Sequence, residues 1–255
     1  GGSSGQFDGV FQDTGWNSGS GILNLVKQGA GTLTLTASST YTGSTTVSAG
    51  TLKAGASTAG AVTNGPFGTG TVTVATGATL DVAGFDIANA MILSGSGLGG
   101  SGALYNSSVL AATASGDIQL AADSTVGATG ALSLGDVSGN YALDSQNTGL
   151  VTFLGDVGSS AARLSSLSAS GSVKLHGDIW TSGAQSYGAD VRLAALGIGL
   201  DTLDSDVSIV GDVIGALLIV SEIETQNNIL QFLGGGSYVV NGTAYLSSDS
   251  VDFGV

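Results

Sequence analysis

Few residues in this chain are of a type that does chemistry, and they are unevenly placed. Asp201, Asp204 and Asp206 fall close together, and in a regular strand Asp204 and Asp206 project from one face. Two carboxylates on one face are the minimal apparatus of glycoside cleavage, one acting as acid and the other as base or nucleophile. The competing reading is a turn, where aspartate is favoured because it bonds to nearby backbone. A nucleophilic triad needs a histidine to take the proton and an ordered acid behind it. The only histidine, His176, is remote from the three aspartates, and none of the five Lys and Arg residues lies near them in sequence. Without cysteine there is no thiol or disulfide chemistry. The expectation is therefore no catalytic residue, no cofactor site and no metal site.

Two other patterns bear on function. In Val173-Lys174-Leu175-His176-Gly177-Asp178-Ile179-Trp180 alternation sends Val173, Leu175 and Ile179 inward. Lys174, His176, Asp178 and Trp180 then share the outer face if Gly177 does not break the strand. An exposed Trp beside polar groups suits a sugar ring or a protein partner, so Lys174, His176 and Trp180 are the candidate partner contacts. Gly177-Asp178 also reads as a corner, which would rotate Trp180 away from Lys174 and make it a packing residue.

The second pattern is Gly-Asp followed by Ile or Val, at Asp117, Asp136, Asp156, Asp178 and Asp212, the first four at nearly even intervals close to one coil. Such spacing can stack the carboxylates in a column, where each accepts free N–H groups of a glycine corner. At ~4.8 Å, neighbouring charges would repel by roughly 0.9 kcal/mol in water, and calcium is the alternative occupant. The GxGxxG from Gly95 to Gly100 has no amphipathic helix after it to hold an anion and reads as a turn. The threonine pairs at Thr32/Thr34/Thr36 and Thr71/Thr73 cover too few coils for an ice-binding plane.

The elements that must position these residues are strands. With 44 Gly, one Pro, 9% charged and 42% hydrophobic residues in alternating order, the chain reads as folded β protein. Of the 19 acidic residues only Glu222 and Glu224 are Glu, which disfavours long helices. A net charge of −14 repels nucleic acid and anionic lipid. The apolar run from Val207 to Val220 is interrupted by Gly211, Asp212 and Gly215; it reads as two buried strands, so no membrane insertion of this segment is expected. Gly1 to Gly5 lacks the features of a secretory signal, and the chain reads as a segment cut from a longer protein.

One cassette recurs: a Gly, an alternating strand, then a Gly/Asp turn. It appears at Gly31-Thr32-Leu33, Gly50-Thr51-Leu52, Gly70–Val74, Gly77–Val82, Gly116–Leu120, Gly130–Leu134, Gly149–Phe153 and Gly171–Leu175. Self-similarity at a nearly fixed step is the mark of a solenoid, whose coils bury their apolar faces only by stacking. A sandwich or barrel would show more hairpin dipeptides than Asp8-Gly9, Asn64-Gly65 and Asn241-Gly242. Taking ~21 residues per coil and ~4.8 Å per step gives about 12 coils and a rod of about 58 Å.

The run Leu25-Val26-Lys27-Gln28-Gly29-Ala30-Gly31-Thr32-Leu33-Thr34-Leu35, followed by Thr40-Tyr41-Thr42-Gly43-Ser44-Thr45-Thr46-Val47 and Gly50-Thr51-Leu52, resembles the passenger-associated repeat of bacterial autotransporters. Leu164–Val173, with Gly177-Asp178-Ile179 and Thr181–Leu193, is similar to repeats of filamentous-haemagglutinin-like adhesins. The first resemblance implies a right-handed parallel β-helix secreted to the surface of a Gram-negative cell by type V secretion, with no catalytic residue; both point to long β-helical surface proteins. The expected organisation is a single β-helix over 1–255, with the passenger-associated repeat in 7–56, irregular coils in 57–160 and haemagglutinin-like coils in 161–255. The expected function is a non-catalytic stalk or passenger segment of a surface adhesin. Its partners would be a host or bacterial surface protein or glycan, or other copies of the chain, end to end or laterally. Polysaccharide-processing enzymes share the β-helix and are the alternative, as is a receptor-binding module; an enzyme of this shape needs a walled cleft holding Asp and a basic residue.

Overall fold

Three-residue apolar strands set between glycine corners are too short to fold back on themselves, so each finds its partner one coil away. In a computed structural model, residues 2–13, 21–58, 62–195, 198–203, 205, 207–211 and 213–214 are described, together with backbone strands at 218–219, 229–232 and 250–253. Every named strand pair among them is parallel. The fold is an all-β parallel solenoid with three lines of stacked strands.

The first line begins at Gly5–Phe7, Thr32–Leu35, Gly50–Ala54, Ala78–Asp81 and Leu104–Asn106. It continues through the end of Ile118–Ala128 to Ala142–Asn147, Ser166–Ala169, Gln185–Tyr187 and Val207–Ile209. These strands make about nine turns, a rise of about 43 Å at ~4.8 Å per coil. Ile229–Phe232 and Ser250–Phe253 add two strands to the same line. The expected count of about 12 coils for the whole chain is slightly high because some coils are wide: Gly5 pairs Leu33 and Gly50 pairs Ala78, each a wider step than the even coil assumed.

The second line runs from Leu25–Lys27 through Thr45–Val47, Val72–Val74 and Met91–Gly95 to the start of Ile118–Ala128, one strand that turns the corner between two lines. Val137–Ser138, a bridge at Val157, Ile179–Thr181, Ile198–Thr202 and Leu218–Ile219 continue it. The third line starts later. Its first strand is Ala112–Ala114, joined to the coil before only by the Ile87–Ala114 bridge, and it continues through Leu132–Leu134, Val151–Phe153, Val173–Leu175, Val191–Leu193 and Val213–Ile214. Before that point aromatic side chains fill the third side. Tyr41 and Phe67 are fully buried, and Phe11 meets Tyr41 edge-on while stacking on Phe7.

The alternation sets the core as expected. Val47, Leu52, Val72, Val74, Leu80, Val82, Ile118, Leu120, Leu132, Leu134, Val151, Phe153, Val173 and Leu175 lie in one buried cluster with Leu35, and Leu33 is partly buried against it. Each fully buried aliphatic side chain contributes about 1.5–3 kcal/mol relative to exposure. Alternation would turn the Thr, Ser, Lys and Gln neighbours of these residues to water, but Thr79 is buried, as is Asp81. Thr79 lies beneath the glycine-rich loop: its hydroxyl donates to the Gly102 carbonyl and accepts from the Leu98 N–H. That loop carries the GxGxxG and is a turn with positive φ at Gly95, Gly97, Gly99 and Gly100. The run from Val207 holds three short strands rather than two, at Val207–Ile209, Val213–Ile214 and Leu218–Ile219.

Candidate functional site

Lys174 is the central residue of Val173–Leu175, on the third line, and points outward between two buried neighbours. His176 follows it, exposed, its N–H donating to the Phe153 carbonyl. Trp180 is the central residue of Ile179–Thr181, on the second line. Gly177-Asp178 is thus a corner, and the expected shared outer face is divided: Lys174 and His176 lie on one side of the rod and Trp180 on the next. Trp180 is half-buried, with the Arg163 guanidinium 5.0 Å from its ring centroid. Such a cation–π contact contributes about 0.5–2 kcal/mol.

The structure supplies a neighbour for Lys174 that alternation within one strand does not reveal. Its register partner on the next coil is Arg192. The signal lay in the coil repeat, because Val173-Lys174-Leu175 and Val191-Arg192-Leu193 are the same triplet one turn apart.

The aspartate corners stack. The N–H of Asp156 donates to Asp136 Oδ1 at 3.0 Å, that of Asp178 to Asp156 Oδ1 at 2.8 Å, and that of Gly199 to Asp178 Oδ1 at 2.8 Å. Each carboxylate caps the corner of the following coil. The preceding glycine makes room, since a Cβ on Gly155 or Gly177 would run into the carboxylate of the coil before. Asp117 is exposed and Asp212 lies outside the described residues. Among the described residues no group of three or more acidic, His or Cys side chains converges in a metal-binding cluster, and one oxygen of each stacked carboxylate is already committed to backbone.

Of the clustered aspartates, Asp204 and Asp206 lie outside the described residues. Asp201 is buried and pairs with Arg163, Nη1 to Oδ1 at 2.6 Å. A basic residue does sit beside this carboxylate, brought from a distant coil. The same guanidinium nitrogen donates to the Thr181 carbonyl, and the buried Gln185 amide donates to the Asp201 carbonyl. This is a cross-coil brace, with the charged pair held inside its own hydrogen bonds.

The stretch 25–54 is one coil together with the strands stacked on it. Leu25, Val26 and Lys27 pair Thr45, Thr46 and Val47; Thr32, Leu33, Thr34 and Leu35 pair Thr51, Leu52, Lys53 and Ala54. The repeated Gly-Thr-Leu is this register. Lys27 takes an inward position, only 6% exposed, and its ammonium donates to the carbonyls of Gln28, Gly29 and Ala49. Burial lowers its pKa from the ordinary lysine value. Gly29 and Gly50 turn the chain there with positive φ, and a Cβ on Gly50 would strike the Gly29 and Gly31 carbonyls. Residues 25–54 match the family model of the passenger-associated-transport-repeat. The chain carries an autotransporter passenger repeat. No curated protein and no solved structure matches the chain. The passenger repeat therefore has a physical definition here: Lys27 ties the corner of one coil to the corner of the next, and its two Gly-Thr-Leu segments stack in register. A parallel solenoid bearing this repeat fits an autotransporter passenger.

Proposed function

We propose that this chain is a non-catalytic stalk segment of a surface adhesin of a Gram-negative bacterium, exported by type V secretion to the cell surface. It presents or makes contacts with a protein or glycan on a host or bacterial surface, and associates with its own copies end to end or along the rod. The observation that carries this reading is the passenger-repeat coil at 25–54, stacked in register on a ladder of about nine parallel turns. A repeat family found in secreted passengers supports a secreted or surface location. Short glycine corners in most of the described coils support a stalk rather than a walled catalytic cleft. Arg163 and Asp201 satisfy each other inside the rod, which favours bracing over chemistry.

The test is display. Residues 1–255 fused ahead of an outer-membrane translocator barrel should appear intact on the surface of a Gram-negative host, and cells displaying them should adhere to epithelial or bacterial cells more than cells displaying the barrel alone. Purified chain should release no reducing ends from polysaccharides. Display without any gain in adhesion, or polysaccharide cleavage that is lost in Asp201→Asn, would overturn the reading.

A further inference from the structure

The chain has five basic residues against 19 acidic ones, and three of the five are occupied internally. Lys27 caps carbonyls, Lys53 pairs with Asp81 at 3.3 Å, and Arg163 pairs with Asp201 at 2.6 Å. The other two, Lys174 and Arg192, are direct register partners on adjacent strands of the third line, both facing out. Like charges opposed across a strand pair are mutually destabilising. Among the described residues the Lys174 side chain makes no hydrogen bond or ion pair, and that of Arg192, half exposed, meets only a loose partner, Asp190 Oδ2 at 3.7 Å. Asp190 has further interactions of its own. Beside the pair is an open polar cleft of about 250 Å³ lined by Thr148, Gly149, Leu150, Ser172 and Arg192.

We propose that Lys174 and Arg192, with the Ser172–Thr148 cleft beside them, bind the carboxylate of an isolated acidic sugar on an otherwise neutral glycan; this rests on the adhesin reading above. The backbones of Lys174 and Arg192 are register partners one strand spacing apart, about 4.8 Å, so their long side chains can reach one carboxylate from two sides, and Arg supplies the planar fork that such a group fits. The hydroxyls of Ser172 and Thr148 suit ring hydroxyls. The cleft is smaller than the roughly 300–1,000 Å³ of sites that enclose small molecules, so it takes one sugar and its acid group. The net charge of −14 selects against dense polyanions: a heparin-like chain or nucleic acid brings many charges into that field, whereas a single acid loses little and relieves the Lys174–Arg192 repulsion.

The experiment titrates the intact chain with sialyllactose, lactose and heparin by NMR chemical shift or calorimetry. Sialyllactose should bind in the millimolar range or tighter, with shifts centred on 172–174 and 192, and lactose should not bind. Lys174→Gln and Arg192→Gln should each weaken sialyllactose binding about fivefold or more, a loss of ~1 kcal/mol, without lowering the melting temperature, because each removes a like-charge contact. No sialyllactose binding, equal binding of lactose, stronger binding of heparin, or unchanged affinity in both variants would overturn the proposal. Failure here is separable from failure of the adhesin reading. If cells displaying the double variant adhere as well as wild type, the site is wrong and the adhesin stands; if wild-type display confers no adhesion, the adhesin reading itself fails.

Discussion

The backbone N–H of Asp156 donates to the carboxylate of Asp136 one coil below, at 3.0 Å, and the Asp156 carboxylate repeats the contact with Asp178 above it. The corner of each coil is thus held by the one before. Asp156→Ala should cost about 0.5–1.5 kcal/mol by removing the acceptor for the Asp178 N–H, whereas Asp156→Asn keeps a carbonyl oxygen there and should cost less. Gly155→Ala drives a Cβ into the Asp136 carboxylate and should cost about 1–3 kcal/mol. Denaturant melts of the three variants check the order.

The same geometry bears on calcium. With Oδ1 of Asp136, Asp156 and Asp178 committed to backbone N–H groups, the column offers no cluster of free carboxylates. The melting temperature should be the same in millimolar calcium and in chelator; a rise of several degrees in calcium would contradict this.

Lys27 reaches three carbonyls from an inward position. Lys27→Met fills the space but leaves those oxygens without their donor, and should lower stability by about 2–4 kcal/mol. Lys53→Met removes a partly exposed ammonium from Asp81 and should cost less. A Lys27→Met variant as stable as wild type would remove the capping role.

Buried tyrosines set the alkaline limit. Tyr41 is pushed up to about 12 by burial, which outweighs the opposing effect of its hydrogen bond to Thr45, and burial pushes Tyr187 further in the same direction. A tyrosine whose folded pKa is raised keeps its proton in the native state while the unfolded chain loses it above pH 10. The unfolded state then binds fewer protons, and stability falls as pH rises from 10 towards 12. For Tyr41 alone the loss at pH 11 is on the order of 1 kcal/mol. Tyr41→Phe should flatten this part of the curve relative to wild type, and melts between pH 9 and pH 11.5 would reveal it.

Leu134 is fully buried and Ser133, its neighbour, faces outward. Leu134→Asp should cost at least about 3 kcal/mol by placing an unpaired carboxylate in the core, while Ser133→Asp should be nearly silent. Equal effects would mean the strand register is off by one.

Much of this was legible in the chain. Gly31-Thr32-Leu33 and Gly50-Thr51-Leu52 announce their own pairing, and the aspartate spacing announces the corner column, because a coil of the solenoid returns at that interval. What stayed hidden depends on coils lying far apart in sequence. Thr79 reads as a surface residue because the segment that covers it, around Gly102, belongs to the next coil, as does Ser107, which bonds the buried Asp81. Arg163 finds Asp201 only after the chain has wound nearly two further coils. Alternation alone could not say that Gly177-Asp178 turns the chain and parts Trp180 from Lys174. The two long early steps, from Gly5 to Leu33 and from Gly50 to Ala78, escaped a uniform interval because their extra residues lie in the connections between the alternating strands.

A continuous parallel solenoid advances one coil per step, and cysteine cross-linking can verify that advance in a chain that has no cysteine of its own. Thr46 and Thr73 are register partners on adjacent coils, and Ile92 lies one coil beyond Thr73. Adjacent strands at about 4.8 Å permit a disulfide and positions two coils apart, at about 9.6 Å, do not. On oxidation the Thr46→Cys/Thr73→Cys variant should close an intramolecular bond without loss of the melting transition, and Thr46→Cys/Ile92→Cys should not. Closure of the second pair and not the first would contradict the solenoid.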